Sequence, residues 1–217
     1  AGTPITVTNG ATTSGIDFGL VAGGRISGRV TDISTGLGLG AISVRIWSAS
    51  IVVGTATTDC SGAYILGVGL PAGTYYASTV NSLGYLDEAY DNVPCLNCNP
   101  RLLATPIAVT LGATTGNVNF GLDRGGRISG SVTSSATASA LANVSVDILS
   151  STGAYLTSAY TNASGLYTSG SGLPSGTYYA RTWNGLGYVD ELYNDVSCPG
   201  GSCGVVGGTP ISVTVPL

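Results

Sequence analysis

The sequence TPITVTNGATTSGIDFGL at residues 3–20 decides the fold, because it occurs again at residues 105–122 as TPIAVTLGATTGNVNFGL. Its first half occurs a third time at residues 209–217, as TPISVTVPL. Apolar residues alternate with small or polar ones in each copy, which is the period of a strand with one buried face. Three copies of a strand sequence indicate that a strand-built unit is repeated along the chain.

Other sequences repeat at the same interval. GGRISG stands at residues 23–28 and 125–130, and GLPAGTYYA at 69–77 is matched by GLPSGTYYA at 172–180. An interval of about 100 residues is the size of a domain rather than of a solenoid turn. We therefore predict an N-terminal strand segment at 1–22, a first domain at 23–124 and a second domain at 125–217.

The composition excludes several classes of protein. Hydrophobic residues make up 43% of the 217, enough to form cores, and 34 Gly are typical of short strands joined by many turns. The net charge is −4 and the seven basic residues, all Arg, form no cluster. This argues against nucleic-acid binding, which needs basic side chains to replace phosphate counterions. No apolar run approaches the roughly 20 residues that span a bilayer.

Apolar residues alternate with polar ones within each repeat. Ile42, Val44 and Ile46 are spaced by two, and Val144, Val146 and Ile148 repeat the pattern. Turn sequences such as CSG at 60–62 and LPAG at 70–73 separate these runs. The pattern predicts an all-β protein of two tandem antiparallel β-sandwich domains, each with about seven strands, with an extra N-terminal strand.

These sequences together resemble a known family. GGRISGRVTD at 23–32, TTDCSGAY at 57–64, GLPAGTYYA at 69–77 and the closing sequence at 105–122 are similar to carboxypeptidase regulatory-like domains. The resemblance covers both repeats and implies an immunoglobulin-like or transthyretin-like (prealbumin-like) sandwich, grouped with carbohydrate-binding-like folds. It also implies a non-catalytic module that accompanies enzymes or surface proteins. Related pilin domains often carry Lys–Asn isopeptide bonds, which a chain without Lys cannot form.

The cysteines stand at matching places in the two repeats. Cys95 and Cys98 in PCLNC correspond to Cys198 and Cys203 in SCPGGSC, which leaves Cys60 unpaired. Since the chain has no His, we predict one disulfide in each loop rather than zinc-bound or reduced thiols. Disulfides indicate an extracellular or cell-surface location. Cys60 is expected to be a small buried apolar residue, with a bond between subunits as the alternative.

No catalytic residue is predicted, because a Ser or Cys nucleophile lacks a His or Lys base here. Carboxylates recur in both repeats and are the weak candidates for a metal site: Asp87, Glu88, Asp91, Asp190, Glu191 and Asp195. Such groups suit calcium, but the EF-hand spacing is absent. The chain is therefore predicted not to be an enzyme and to hold no cofactor, with calcium as the weak alternative and loop capping as the expected role.

Aromatic residues provide a second candidate surface. Trp47 lies out of phase with Val44 and Ile46, so we expect it to face solvent or a neighbouring domain. Together with Trp183 it is a candidate for stacking on surface glycans or for a protein interface.

The closing strands distinguish the two repeats. The first repeat ends with Val118, Phe120 and Leu122, and the second has Ile211, Val213 and Val215 but no counterpart of those three. The missing strand stands instead at the front of the chain, in the set Ile5, Val7, Ile16, Phe18 and Leu20. We expect this set to be a polymerisation strand and Ile211, Val213 and Val215 to form the acceptor edge of another subunit.

The predicted function is therefore that of a structural subunit of an extracellular filament or surface appendage. Subunits would assemble head to tail into a homopolymer, because donor and acceptor lie at opposite ends. Pro216 and Leu217 stand where the other two copies have Gly and Ala, which favours a repeat that ends over one that is cut. The alternatives are a segment of a covalent tandem-repeat stalk or adhesin, and a carbohydrate-binding accessory module.

Overall fold

The computed structural model describes residues 2–49 and 51–215, so Pro216 and Leu217 lie outside the described residues. Strands of the first repeat, in chain order, are β1 (Arg25–Asp32), β2 (Ser43–Ser48), β3 (Ile51–Thr57), β4 (Ala63–Ile65), β5 (Gly73–Val80), β6 (Glu88–Ala89), β7 (Val93–Pro94), β8 (Ile107–Val109), β9 (Thr114–Thr115) and β10 (Phe120–Leu122). They form a sheet of order β10-β1-β4, with β9 also on β1, and a sheet of order β3-β2-β5-β6-β7, with β8 also on β5.

The strands of the second repeat are β11 (Ser129–Ser131), β12 (Ser145–Ser150), β13 (Tyr155–Tyr160), β14 (Leu166–Thr168), β15 (Gly176–Trp183), β16 (Glu191–Leu192), β17 (Val196–Ser197) and β18 (Ile211–Val213). Strands β11–β18 correspond to strands β1–β8 of the first repeat, and β9 and β10 have no counterpart among the described residues. The larger sheet has the order β13-β12-β15-β16-β17, with β18 on β15, and β11 pairs with β14 alone. Short 3₁₀ helices lie at Pro100–Leu102 and Pro199–Gly201. Among the described residues no helix has the length and apolar character needed to cross a membrane.

The two sheets of the first repeat pack around one apolar cluster. Ile26, Val30 and Phe120 enter it from one sheet, while Val44 and Ile46 enter from the other. Val44 and Ile46 are buried and Arg45 between them is exposed, because successive side chains of a strand point to opposite faces. A second cluster occupies the second repeat. These observations confirm the predicted all-β fold built from antiparallel sheets.

Two features differ from the sequence prediction. The closing strands β9 and β10 pair with β1 in parallel rather than antiparallel. The chain comes to β9 and β10 from β8, which pairs with β5 in the opposite sheet. Strands β9 and β10 therefore run in the same direction as β1. The N-terminal segment contains no strand in residues 2–22, where it pairs with no other described segment.

Candidate functional site

The closing strand of the first repeat fills a long slot between its two sheets. Val118, Phe120 and Leu122 are at most 2% exposed there. Phe120 is paired with Val30 of β1, and the Val118 amide donates to the Ser27 carbonyl at 3.1 Å. The strand is therefore part of the core as well as of the sheet.

Aromatic side chains fix the register of that strand. The Tyr64 hydroxyl donates to the Val118 carbonyl at 2.6 Å, and the ring edge of Tyr90 meets Phe120 at a centroid distance of 5.9 Å. Burial raises the pKa of Tyr64 well above its ordinary value, which keeps the hydroxyl protonated as a donor. Gly28 is required beneath the strand, because a Cβ there would overlap the Val118 carbonyl.

The corresponding space in the second repeat is an open groove. It is a cavity of about 680 Å³, and no described residue occupies the position that Phe120 has in the first repeat. Its apolar floor consists of Val132, Leu141, Val144, Val146 and Ala180. By sequence these residues correspond to Val30, Leu39, Ile42, Val44 and Ala77 of the first repeat. We call this space the strand groove.

Three tyrosines at the strand groove match Tyr64 and Tyr90, which contact the closing strand of the first repeat, and Tyr85, whose hydroxyl donates to Asp32 of β1 at 2.8 Å. Tyr167, Tyr188 and Tyr193 line the groove at the positions of Tyr64, Tyr85 and Tyr90. Tyr188 is 47% exposed, whereas Tyr85 is 4% exposed. Sequence reasoning considered Tyr188 and Tyr193 only as aromatics that could stack on sugar rings and did not single out Tyr167, although the alignment of the two repeats contains the signal that identifies all three.

The N-terminal segment is exposed along its length. Ile16 is 43%, Phe18 82% and Leu20 91% exposed, and Ile5 and Val7 are also on the surface. The five exposed apolar side chains form a surface of the kind that marks an interaction site.

Part of this segment nevertheless shares local geometry with its buried copy. The Thr13 hydroxyl donates to the Thr6 carbonyl at 3.1 Å, as the Thr115 hydroxyl donates to the Ala108 carbonyl at 2.9 Å. Gly15 has a φ of 78°, and Asn117 at the matching position has a φ of 61°. Residues 6–15 of the free segment thus share one hydrogen bond and one backbone angle with residues 108–117.

The residues predicted to form the acceptor edge do not line the strand groove. Ile211 and Val213 are in β18, which pairs with β15; Val213 is a member of the second apolar cluster and Val215 packs against it. The strand groove runs along Ser131–Thr133 instead. By sequence, β18 corresponds to β8 of the first repeat, which pairs with β5.

The two tryptophans do not form a common surface. Trp47 is half-buried on β2 and its Nε1 donates to the Ser78 hydroxyl at 3.0 Å. Trp183 is 54% exposed on β15, and the residue that corresponds to it in the first repeat is Val80.

The acidic candidates divide into buried and exposed groups. Asp87, Glu88 and Asp190 are buried, whereas Asp91, Glu191 and Asp195 are exposed. The Asn81 amide donates to Asp87 at 2.7 Å, and the Asn184 amide to Asp190 at 2.6 Å, which braces the loop before each pair. In the described part of the chain, no three Asp, Glu, Cys or His side chains group as metal ligands would.

The pKa values of the two buried carboxyls of the first repeat are raised. Burial raises the pKa of Asp87 to about 6 and that of Glu88 to about 7, and nearby Asp123 adds to the effect on Glu88. Glu88 Oε2 has no hydrogen-bond partner among the described residues. The charged form of Glu88 is therefore costly in the folded chain.

We predict that the first repeat loses stability as the pH rises. The folded state binds the Glu88 proton more tightly than the unfolded chain, so this contribution is complete below about pH 4.5 and is lost as the pH passes about 7. Glu88→Gln should increase the free energy of unfolding at pH 8 by ~1–3 kcal/mol and flatten the slope between pH 6 and 8. Urea unfolding at several pH values measures this. Glu191→Gln, at the exposed counterpart, is the control, and an unchanged slope in Glu88→Gln contradicts the assignment.

Both predicted disulfides are present, Cys95–Cys98 and Cys198–Cys203. Cys60 is exposed, contrary to the expectation of a buried residue, because it lies in the turn between β3 and β4.

Comparisons with known proteins show distant similarities of fold. No family model matches the chain, and no curated protein matches it. Among solved structures, the Bacillus anthracis TIE protein is 17% identical over 79% of this chain and 30% of its own, with a TM-score of 0.35. A Streptococcal ancillary pilin is 15% identical over 80% of this chain and 60% of its own, with a TM-score of 0.37. The shaft pilin SpaA from Lactobacillus rhamnosus GG is 13% identical over 82% of this chain and 94% of its own, with a TM-score of 0.31.

The chain thus spans less than two thirds of the first two of these structures. Similarities at this level do not assign a function, so the function is argued from the strand groove and the N-terminal segment.

Proposed function

We propose that the chain is a structural subunit of an extracellular filament, in which the N-terminal segment of one subunit fills the strand groove of the next. One observation carries the proposal. The groove has counterparts of side chains that surround Phe120, and a segment with a sequence similar to that of the Phe120 strand, preceded by a matching turn, is exposed in the same chain.

The first repeat supplies the register of the inserted strand. Ile16, Phe18 and Leu20 take the places of Val118, Phe120 and Leu122, which they match in sequence. Residues 18–20 then run parallel to residues 132–134, as β10 runs parallel to β1. This register leaves Asp17 facing outward, like Asn119, so no charge enters the groove.

The same register predicts two side-chain contacts between the groove and the inserted strand, one polar and one aromatic. The Tyr167 hydroxyl is placed to donate to the Ile16 carbonyl, as Tyr64 donates to Val118. Tyr193 is placed to meet the ring of Phe18 edge to face, as Tyr90 meets Phe120.

The donated part is shorter than the whole N-terminal segment. In the first repeat, Ile107 and Val109 precede the closing strand and pair with β5. In the second repeat that position is held by the chain's own β18. Residues 12–20 are therefore the donated strand, and Ile5 and Val7 remain outside the groove.

Burial of three apolar side chains contributes a large part of the energy of insertion. Burial of an apolar side chain of this size contributes about 1.5–3 kcal/mol, so three contribute about 5–9 kcal/mol before the cost of association. Because donor and acceptor are different surfaces at different ends, the contact is heterologous and propagates into an open filament. The two disulfides suit an oxidising extracellular location.

Deletion of residues 1–22 tests the proposal. We expect the truncated chain to remain monomeric in sedimentation velocity under conditions in which the 217-residue chain forms large assemblies. A peptide of residues 10–22 should bind the truncated chain and raise its Tm, because it fills the strand groove. The same peptide with Leu20→Asp is the control and should not bind.

Two results would contradict strand donation: polymerisation of the truncated chain, or no Tm change with the peptide. A covalent tandem array predicts instead that native material stays a single very large chain after boiling in detergent.

A further inference from the structure

The two repeats of the chain meet in a junction built largely from backbone groups. The Gly125 amide donates to the Gly84 carbonyl at 2.9 Å, and the Gly172 amide donates to the Tyr85 carbonyl at 2.9 Å. The Leu86 amide donates to the Asp123 carbonyl at 2.8 Å. The Gly84–Leu86 loop of the first repeat is thus bonded both to the linker that follows the closing strand and to a turn of the second repeat.

Arg127 joins the same two segments through its side chain. Its Nη2 donates to the Ser82 carbonyl at 2.7 Å and to the Gly170 carbonyl at 2.9 Å. The Ser171 hydroxyl donates to the Asn81 carbonyl at 3.0 Å. One guanidinium that bonds to two carbonyls across the boundary fixes the distance between the repeats.

Both halves of this junction occur a second time, at opposite ends of the chain. The leading half, Gly125, Arg127, Gly170 and Gly172, corresponds to Gly23, Arg25, Gly67 and Gly69. The trailing half, Asn81, Gly84 and Tyr85, corresponds to Asn184, Gly187 and Tyr188.

The local geometry of the leading half is already formed in the first repeat. A Cβ built on Gly23 would lie 2.5 Å from the Gly69 Cα, and one built on Gly125 would lie 2.5 Å from the Gly172 Cα. Both glycine pairs therefore stack backbone on backbone, and no side chain fits between them.

The surfaces buried in the internal junction are exposed at the two ends. Ser171 is 7% exposed, whereas its counterpart Val68 is 49% exposed. Gly84 is buried and Gly187 is exposed. Two exposed half-junctions, one at each end, are what a head-to-tail contact between identical chains requires.

We propose that the contact between successive subunits copies the junction between the two repeats of one chain. This inference rests on the proposed strand donation, since the donated residues 12–20 lead directly into Gly23. In the contact, Arg25 of one subunit donates to its own Gly67 carbonyl and to the Gly185 carbonyl of the preceding subunit. Gly23 and Gly69 bond to Gly187 and Tyr188 of that subunit.

Two elements of the internal junction are absent from the copy. The Ser171 hydroxyl bond to Asn81 has no counterpart, because Val68 stands at the position of Ser171. Arg124 lies 4.8 Å above the Tyr85 ring and pairs with Asp32 at 3.7 Å. The corresponding residues are Ala22 and Ser134. The contact between subunits is therefore more apolar than the internal junction and is expected to depend less on salt.

A cysteine pair tests this geometry. A Cβ built on Gly170 lies 3.5 Å from the Ser82 Cβ, and disulfides need a Cβ separation of about 3.5–4.5 Å. The counterparts across the subunit contact are Gly67 and Gly185, where an added Cβ meets nothing within 4 Å. We therefore use Gly67→Cys with Gly185→Cys in a Cys60→Ala background, and Ser82→Cys with Gly170→Cys as the internal reference.

After assembly and mild oxidation, non-reducing gels should show a ladder of covalent multimers for the Gly67/Gly185 pair. The internal pair should give a closed monomer, and each single variant at most a dimer. Assembly without a ladder, with the internal pair closing normally, overturns the copied junction and leaves strand donation intact. Failure of the unaltered 217-residue chain to assemble overturns both the copied junction and strand donation.

Discussion

Phe18→Asp is expected to abolish head-to-tail assembly. Phe18 is 82% exposed in the free chain, so the change should leave the stability of the monomer almost unaltered. In the strand groove it takes the place of Phe120, which is 2% exposed. Loss of about 1.5–3 kcal/mol of burial and the cost of placing a carboxylate in an apolar site should weaken association at least ~1,000-fold. Sedimentation velocity measures the association, and a thermal unfolding curve checks the monomer.

Val7→Asp is the matched control for this variant. Val7 is 73% exposed, and the position of its counterpart Val109 is filled in the second repeat by the chain's own Val213. We expect Val7→Asp to assemble like the unchanged chain. Equal assembly of Phe18→Asp and Val7→Asp would show that the N-terminal segment does not enter the groove in the proposed register.

A second large effect is expected when the second repeat is given a closing strand of its own. In the variant, residues 216–217 are replaced by GATTGNVNFGL, the sequence of residues 112–122, because Val215 already stands at the position of Leu111. The added strand should enter the strand groove as β9 and β10 enter the first repeat. Burial of its Val, Phe and Leu should stabilise the second repeat by up to about 5–9 kcal/mol. Because the groove is then filled, assembly should stop.

Calorimetry measures the stabilisation of the second repeat, and sedimentation velocity measures the loss of assembly. The same extension with its Phe changed to Asp is the control, which should show neither stabilisation nor loss of assembly. An extended chain that gains stability and still polymerises would contradict the groove as the acceptor.

Much of the fold follows from the spacing of apolar residues. The alternation of Val44 and Ile46 with Arg45 predicts which face of β2 is buried. In the structure Val44 and Ile46 are buried and Arg45 is exposed, as predicted. The parallel pairing of β10 with β1 could not be predicted in this way. Alternation shows which face of a strand is buried, but it does not show which strand is its neighbour.

The candidate site was only partly predictable for the same reason. The sequence shows that the counterpart of Phe120 is Phe18, which lies near the N-terminus. It does not show that the open edge is along Ser131–Thr133 rather than at β18, because that depends on which sheet each strand joins.

Side-chain hydrogen bonds also accompany the burial of two residues, Asp87 and Trp47, that the sequence does not predict to be buried. Asp87 is buried and accepts a hydrogen bond from the Asn81 amide, six residues earlier, which offsets part of the cost of burial. Trp47 is half-buried and donates its indole N–H to the Ser78 hydroxyl of the neighbouring strand. Such partners become visible only when the strand register is known.

Electron cryomicroscopy of assembled 217-residue chains tests strand donation most directly. Our account predicts density that continues from Arg25 back through Leu20 into the strand groove of the neighbouring subunit. Phe18 should lie against Val132 and Tyr193 of that neighbour. An empty groove, a groove filled by residues of the same subunit, or residues 12–20 on the outer surface of the filament would contradict it.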